Sequence, residues 1–245
     1  MLFSIVTVVK NGMPQLLNTI KSLNNQTYKK FEHLFVYSNS NDLTYSYIKK
    51  FSNLNTKIII QKKGNLYDAI NLGIKKSTGK YIFLLHAGDI FYDKNILKKV
   101  SNILLNSKTD GIYGNVIFTK KEKLFRIWKS DNYFPNKINY GWMFPHTSLF
   151  IKRIIFAKIG YYDKNFSIAS DYDFIIRLCK NNVQLKYYNM FVTKMTYGGL
   201  STKLNISSIF LKYYQDYRII LKNRLKLNFL IIFLKPILKL SQFIK

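Results

Sequence analysis

Short apolar runs rich in β-branched residues recur along the first half of the chain. Each is followed by a helical stripe, and this alternation limits the fold more than any other feature. Leu2–Val9 is such a run, as a buried parallel strand requires. Pro14 suits the first turn of a helix, and Leu16, Leu17, Ile20 and Leu23 then mark one helical face. Phe31–Tyr37 and Lys57–Gln61 read as further strands, Tyr67–Lys76 as a helix, Tyr81–Leu85 as a strand and Asn95–Leu105 as a helix. The order predicts an α/β domain, a mostly parallel mixed sheet covered by helices on both faces. Ligands bind such sheets outside the carboxyl ends of the strands. A chain of 245 residues has room for one full domain of this kind.

The second half is less regular. Gly111–Phe118, Lys123–Trp128, His146–Ile151 and Val183–Tyr197 read as extended. Residues 129–144 lack a period and read as a loop able to cover a site. Lys152–Ile159 is a short helix stopped by Gly160, and Asp171–Asn181 is a helix with Asp171 in its first turn.

Charge is lopsided, with 39 Lys and Arg against 12 Asp and Glu. The excess implies either an anionic partner (a nucleotide diphosphate, anionic lipid or nucleic acid) or compositional drift. It culminates in the last segment, where large apolar residues alternate with cations and Asp216 is the lone acid after Lys212. Leu227–Leu234 is too short to span a bilayer. The pattern suits a helix lying on anionic headgroups, or an amphipathic helix packed on the domain with a solvated basic face. Pro236 is expected to kink it. The expected organisation is one α/β domain over residues 1–202 and a membrane-associating tail over 203–245. The N-terminus carries no basic leader pattern, which reads as a cytoplasmic start with peripheral attachment to the inner face of the membrane. The single cysteine, Cys179, lies in an apolar helical pattern and reads as core.

Scarce acids narrow the search for chemistry. Tyr81–Leu85 runs straight into His86-Ala87-Gly88-Asp89, which puts Asp89 at the carboxyl end of a buried strand. Carboxylate oxygen next to phosphate is what a hard divalent cation takes, although an Asp there can also simply close a turn. Asp68 and Asn71 lie three apart on one helical face, with dipole stabilisation as the plain alternative for Asp68. Asp171 and Asp173 open an otherwise apolar helix; capping accounts for one of them, and two together suggest a general base.

Taken in order, these segments resemble the family 2 glycosyltransferases of GT-A fold, in particular the bacterial enzymes of polysaccharide assembly. Ser4–Gly12, with Thr7, Val9 and Asn11, resembles the family's first strand and nucleotide loop. Ser22-Leu23 through Gln26-Thr27-Tyr28 resembles the end of its first helix, and Tyr67–Asn71 with Gly73 and Gly79 its central helix. Leu85–Asp89 falls at its metal-binding D-x-D variant, Met143–Thr147 resembles an M-P-x-H-x-S/T stretch, Ser170–Asp173 falls at its base motif, and Gly198–Ser201 resembles a terminal G-G-x-S. Two departures stand out. Tyr37 occupies the place of an Asp that touches the nucleotide base, while Ser40 and Asp42 still match; and the D-x-D is reduced to Asp89.

The resemblance implies an inverting transfer of sugar from a nucleotide-diphosphate donor to a hydroxyl of a lipid-linked or oligosaccharide acceptor, in cell-surface polysaccharide synthesis. Thr7, Val9, Asn11, Tyr37, Ser40, Asp68, Asn71 and His146 would line the donor site. Asp89 would hold Mg²⁺ or Mn²⁺, Asp171 would act as base, and Asp173 would orient the helix or touch acceptor. His146 serves equally as a phosphate or acceptor contact or as a packing residue. Two rivals remain at this stage, a basic nucleic-acid-binding protein and a non-catalytic membrane relative. Against the first, the cations are spread along the chain and no recognised module is present, so no nucleic-acid partner is expected.

Overall fold

A computed structural model describes residues 1–132, 135–196, 206–226, 228–240, 242 and 243. Its nine described strands form one sheet in the order β3-β2-β1-β4-β8-β6-β9-β5, with β7 paired to β6. The parallel half comprises β1 (Phe3–Val9), β2 (Phe31–Ser38), β3 (Thr56–Gln61) and β4 (Tyr81–Leu84). The other half is mixed: β8 (Phe150–Lys152) runs antiparallel to β4 and to β6 (Gly111–Lys120), while β9 (Leu185–Thr196) lies parallel to β6. β7 (Lys123–Trp128) is the hairpin partner of β6, and β5 (Ile90–Phe91) is a two-residue edge against β9.

Period-two alternation splits the strands between two cores. Phe3 and Ile5 of β1 and Tyr81 and Phe83 of β4 face a cluster with Leu97 and Val100 of α4 (Ile96–Leu105). Val6, Ile82 and Leu84 face the larger cluster, which holds α3 (Leu66–Lys76) and α6 (Ser170–Lys180). α1 (Gln15–Asn24) and α2 (Thr44–Phe51) add a third cluster beside β2. Helices thus cover both faces, as the alternation predicts.

One buried carboxylate ties the parallel half together. Glu32 at the start of β2 is 2% exposed. Its Oε1 accepts from Ser4 Oγ at 2.6 Å, Thr78 N at 2.6 Å, Thr78 Oγ1 at 2.8 Å and Gly79 N at 3.1 Å, and its Oε2 from Lys57 Nζ at 2.7 Å. A side chain at Gly79 would strike the β1 backbone, so only glycine lets this turn approach.

Several boundaries differ from the sequence reading. α2 carries no strong signal and is missed, because its two buried residues, Thr44 and Ile48, make too thin a stripe. Pro14 precedes α1, which begins at Gln15. The run from His146 is a 3-10 turn over His146–Ser148 before β8 starts, since Ser148 N turns back to Pro145 O at 3.0 Å. α5 (Arg153–Ile159) does end at Gly160, whose φ is +87°.

The C-terminal segment forms α7 (Ile206–Lys222) and α8 (Asn228–Leu240), and Pro236 sits inside α8. Ile219, Ile220 and Ile231 are fully buried in the larger core. Gln215 Oε1 accepts from Ile168 N at 3.0 Å, and Gln242 O accepts from Ile127 N at 2.9 Å. The packed alternative weighed for this segment is therefore realised, although α7 and α8 also leave Phe210, Tyr214, Leu230, Phe233 and Ile237 exposed. No described helix is long and apolar enough to cross a membrane. The Gly198–Ser201 motif and the expected boundary at residue 202 lie outside the described residues.

Candidate active site

β4 ends in a tight turn. Asp89 N donates to His86 O at 2.9 Å, and Gly88 takes a φ of +99°, a left-handed backbone that glycine adopts without strain. Thr19 of α1 accepts from Gly88 N at 2.9 Å, and Thr196 at the end of β9 donates to Gly88 O at 3.3 Å. The turn is clamped from both sides, which fixes Asp89 at the carboxyl end of the strand.

Asp89 is 6% exposed, and its Oδ2 is buried with no hydrogen-bond partner. Burial raises its pKa to about 7, with His146 pulling weakly the other way. An ionised carboxylate in that position has no hydrogen-bond donor at Oδ2, and a divalent cation would take that oxygen as a ligand. Among the described residues no three His, Cys, Asp or Glu side chains cluster. A cation at Asp89 would therefore draw its other ligands from bound phosphate and water, an oxygen set that suits Mg²⁺ or Mn²⁺.

Beside Asp89 stands a His–Asp pair. His146 Nδ1 lies 3.0 Å from Asp171 Oδ2, and both side chains are partly open to the cleft. Burial opposes charge on each, but the pairing wins. The His146 pKa is raised by Asp171, and the Asp171 pKa is pushed well below the carboxylate range by His146 and, further off, by Lys235. The pairing thus favours an imidazolium beside a carboxylate. His86 meets the His146 ring edge-on at 5.8 Å between centroids, and burial lowers its pKa to about 4, so it stays neutral.

A second feature lies at the carboxyl ends of β2 and β3. Tyr37, Asn39, Tyr45, Ile60, Gln61 and Lys62 line a cavity of about 470 Å³. The rings of Tyr37 and Tyr45 are 5.1 Å apart and tilted. Tyr37 Oη accepts from Ser40 N at 3.0 Å, Asn11 N donates to Ser40 Oγ at 2.9 Å, and Asn41 N donates to Asn11 Oδ1 at 2.9 Å. Asp42 completes the knot, accepting from Met13 N and Thr44 N at 3.0 Å each. The loops after β1 and β2 thus form one rigid rim around an aromatic recess, suited to a flat heterocycle.

The structure brings together Asn11, Tyr37 and Ser40 at this recess, and Asp89, His146 and Asp171 at the end of β4. The side chains of the other expected site residues are engaged elsewhere. Thr7 is buried, donates to Leu85 O at 2.8 Å and pairs with His33 Nε2 at 2.9 Å. Val9 is core. Asp68 closes a capping box with Asn65, accepting from its backbone N at 2.9 Å. Asn71 donates to Tyr162 O at 2.8 Å and accepts from Tyr162 N at 3.0 Å, which pins the segment before α6. Asp173 does not reach the cleft. It is fully buried and bound to Arg177 Nε at 2.8 Å, Lys222 Nζ at 3.0 Å and Asn223 Nδ2 at 3.0 Å, so it joins α6 to α7 and orients the helix. Tyr45, Gln61 and Lys62 escaped the sequence reading because nothing in their local pattern separates them from ordinary surface residues.

The profile described as glycosyl transferase family 2 matches residues 4–166. A PGL/p-HBAD biosynthesis glycosyltransferase of Mycobacterium tuberculosis is 30% identical over 218 residues, covering 86% of this chain and 83% of that protein. An uncharacterized glycosyltransferase of Rickettsia prowazekii is 31% identical over 185 residues, covering 70% of this chain and 57% of its own. Among solved structures, Staphylococcus aureus TarS 1–349 in complex with UDP-GlcNAc aligns with a TM-score of 0.71 at 16% identity, over 93% of this chain and 68% of that one. This chain spans 39% of a longer TarS chain that also matches. The Pyrobaculum calidifontis mannosyltransferase PcManGT, in complex with GDP-Man and Mn²⁺, aligns with a TM-score of 0.65 at 13% identity, over 95% and 69%. At these identities the structural likeness establishes the fold, which is GT-A.

Proposed function

The chain belongs to glycosyl transferase family 2, and from that premise we propose that it transfers a sugar, with inversion, from a nucleotide-diphosphate donor to a hydroxyl of a glycan acceptor. The observation that carries this reading is the meeting of a partnerless buried carboxylate oxygen, Asp89 Oδ2, with the His146–Asp171 pair at the end of β4. A recess lined by Tyr37 and Tyr45 opens beyond them along the sheet.

The donor base lies in the Tyr37–Tyr45 recess, and the diphosphate reaches toward Asp89. There Asp89 would hold Mg²⁺ or Mn²⁺, which as a Lewis acid neutralises charge developing on the departing diphosphate. His146, whose protonated form Asp171 favours, offers an N–H donor to a phosphate oxygen. The acceptor hydroxyl attacks the anomeric carbon as the bond from that carbon to the diphosphate oxygen breaks. Its proton passes to Asp171. The ion pair makes Asp171 a weak base, yet the hydroxyl becomes strongly acidic as it bonds to the anomeric carbon, so late transfer to a weak base suffices. Asp173, Arg177 and Lys222 hold α6 so that Asp171 faces the cleft.

The acceptor is lipid-linked or an oligosaccharide, and the enzyme works on the inner face of the cell membrane in surface-polysaccharide synthesis. The exposed Phe210, Tyr214, Leu230, Phe233 and Ile237, interspersed with Lys212, Arg218, Arg224 and Lys226, support peripheral contact with anionic lipid. The testing experiment is hydrolysis of UDP- and GDP-sugars with Mn²⁺ or EDTA, followed by anomeric NMR of the sugar transferred. Absence of any sugar-nucleotide cleavage, or retention at the anomeric carbon, refutes the proposal.

A further inference from the structure

A second cavity lies beside β7, on the other half of the sheet from the Tyr37 recess. It is enclosed by the residues after β7, the segment 141–143 and the last turns of α8, and its volume is about 190 Å³. Trp128, Trp142, Lys129, Lys235 and Lys239 line it. These are both of the chain's tryptophans. The one acid of its wall, Asp131, is already engaged: it accepts from Trp142 Nε1 at 2.6 Å and pairs with Lys137. Lys235, 5% exposed, is anchored to Asp216 at 2.8 Å, and its ammonium lies 3.3 Å from the centroid of the Tyr172 ring. The Lys239 ammonium forms no hydrogen bond or ion pair among the described residues; burial, Lys212 and Lys235 disfavour its charge, outweigh the opposing pull of Asp216 and hold its pKa at about 7. A partly buried lysine with no carboxylate in hydrogen-bonding reach, in a wall of cations and indoles, suits an anionic group.

Its position relates it to catalysis. Tyr172, under Lys235, directly follows Asp171, and Lys235 is close enough to lower the Asp171 pKa. Met143, also in the wall, leads through Phe144 and Pro145 into His146. Along the sheet, the Tyr37 recess sits on β2 and β3, the Asp89 turn on β4, and the tryptophan cavity beside β6 and β7. The base therefore lies between the two cavities.

We propose that the tryptophan cavity is the acceptor subsite and that it selects an anionic sugar, whose phosphate or carboxylate is held by Lys239 and Lys129 while its ring packs on Trp128 or Trp142. This assignment of the acceptor rests on the glycosyltransferase reading of the neighbouring site. Indole faces suit the apolar face of a pyranose ring, and the lysines supply charge-assisted hydrogen bonds that a neutral sugar cannot use. The C-terminal helix thereby sets acceptor choice.

Because both tryptophans line the cavity, intrinsic fluorescence reads its occupancy in the full chain without any turnover. Titrations with glucose 6-phosphate, glucuronate, glucose and inorganic phosphate are the test. Saturable quenching by at least one of the two anionic sugars is expected, with glucose and inorganic phosphate weaker by about tenfold or more. Whichever anionic sugar binds more tightly identifies the group. Lys239→Gln should weaken the anionic sugar by about tenfold while its melting curve matches that of the wild type. Lys129→Gln should act in the same direction. Equal affinity for glucose and its 6-phosphate, equal affinity for inorganic phosphate, no quenching at all, or unchanged binding by Lys239→Gln overturns the proposal. Failure of sugar-nucleotide hydrolysis would instead refute the glycosyltransferase reading, and the isotherms would still decide whether the cavity binds anionic sugars.

Discussion

Replacing Glu32 by Gln tests the clamp that holds the parallel half of the sheet. The buried carboxylate accepts hydrogen bonds from Ser4, Thr78, Gly79 and Lys57. Burial raises its pKa, but these donors outweigh burial and bring it from 4.5 down to about 2. Its folded pKa lies below the unfolded one, so its stabilisation is complete above the unfolded value and is lost as pH falls through the folded value. At 1.36 kcal/mol per unit, the shift corresponds to about 3 kcal/mol at pH 7. Linkage reduces this to roughly 1.5 kcal/mol at pH 3, where the unfolded carboxylate is mostly protonated while the native one is still mostly ionised. Lys57 is half exposed, so solvent screening makes the larger figure an upper value. The amide of Gln presents N–H groups to a site built of donors, so the variant gains nothing in return. Glu32→Gln is therefore expected to lose about 2–3 kcal/mol at pH 7, or roughly 4–12 °C in Tm for a chain of this size. The gap to the wild type should narrow toward pH 3. Urea unfolding of both proteins at pH 7, 5, 4 and 3 measures it. A gap that stays constant with pH, or a loss below about 0.5 kcal/mol at pH 7, would show that the carboxylate charge does not hold these strands.

Asp89→Asn should keep the fold and abolish the Mn²⁺-dependent part of sugar-nucleotide hydrolysis, because it removes the carboxylate at the end of β4; an unchanged Mn²⁺ response would remove Asp89 as the cation's ligand. Asp171→Asn should retain nucleotide binding by calorimetry and lose about 10²–10⁴-fold in turnover. Asp173→Asn should instead lower thermal stability, since it removes the fully buried charge that Arg177 and Lys222 pair with, and a variant with normal stability but no activity would reverse the two roles. In liposome flotation, the chain should bind anionic vesicles more than neutral ones, and Leu230→Ser with Ile237→Ser should weaken binding to both. Equal recovery of mutant and wild type on anionic vesicles would argue against the exposed faces of α7 and α8 as the contact.

How the C-terminal segment reads illustrates a general limit. Its alternation of cations with large apolar residues is visible in the sequence and is equally compatible with a membrane surface or a packed helix. Packing turns out to use Ile219, Ile220 and Ile231, while Leu230, Phe233 and Ile237 stay outside. Deleting the segment is therefore expected to expose core rather than to release an intact domain, because its buried residues belong to the same cluster as α3 and α6.

Local physics alone determined the strand–helix alternation. Backbone periodicity and burial also placed Asp89, because an apolar strand ending in small residues fixes its next acid at the carboxyl edge of the sheet. What no local pattern could decide was which acid of a close pair faces the cleft. Asp171 and Asp173 stand two residues apart on one helix, about 200° around its axis, so at most one can serve the site. The choice fell to contacts made far along the chain: Lys222 at the end of α7 and Asn223 just after it bind Asp173, while His146, from the turn before β8, meets Asp171. The same holds for the two cavities. Tyr37 at the end of β2 meets Tyr45 of α2, and Trp128 of β7 lines one cavity with Lys239 of α8, because strand order and helix packing, rather than local pattern, bring side chains to one place.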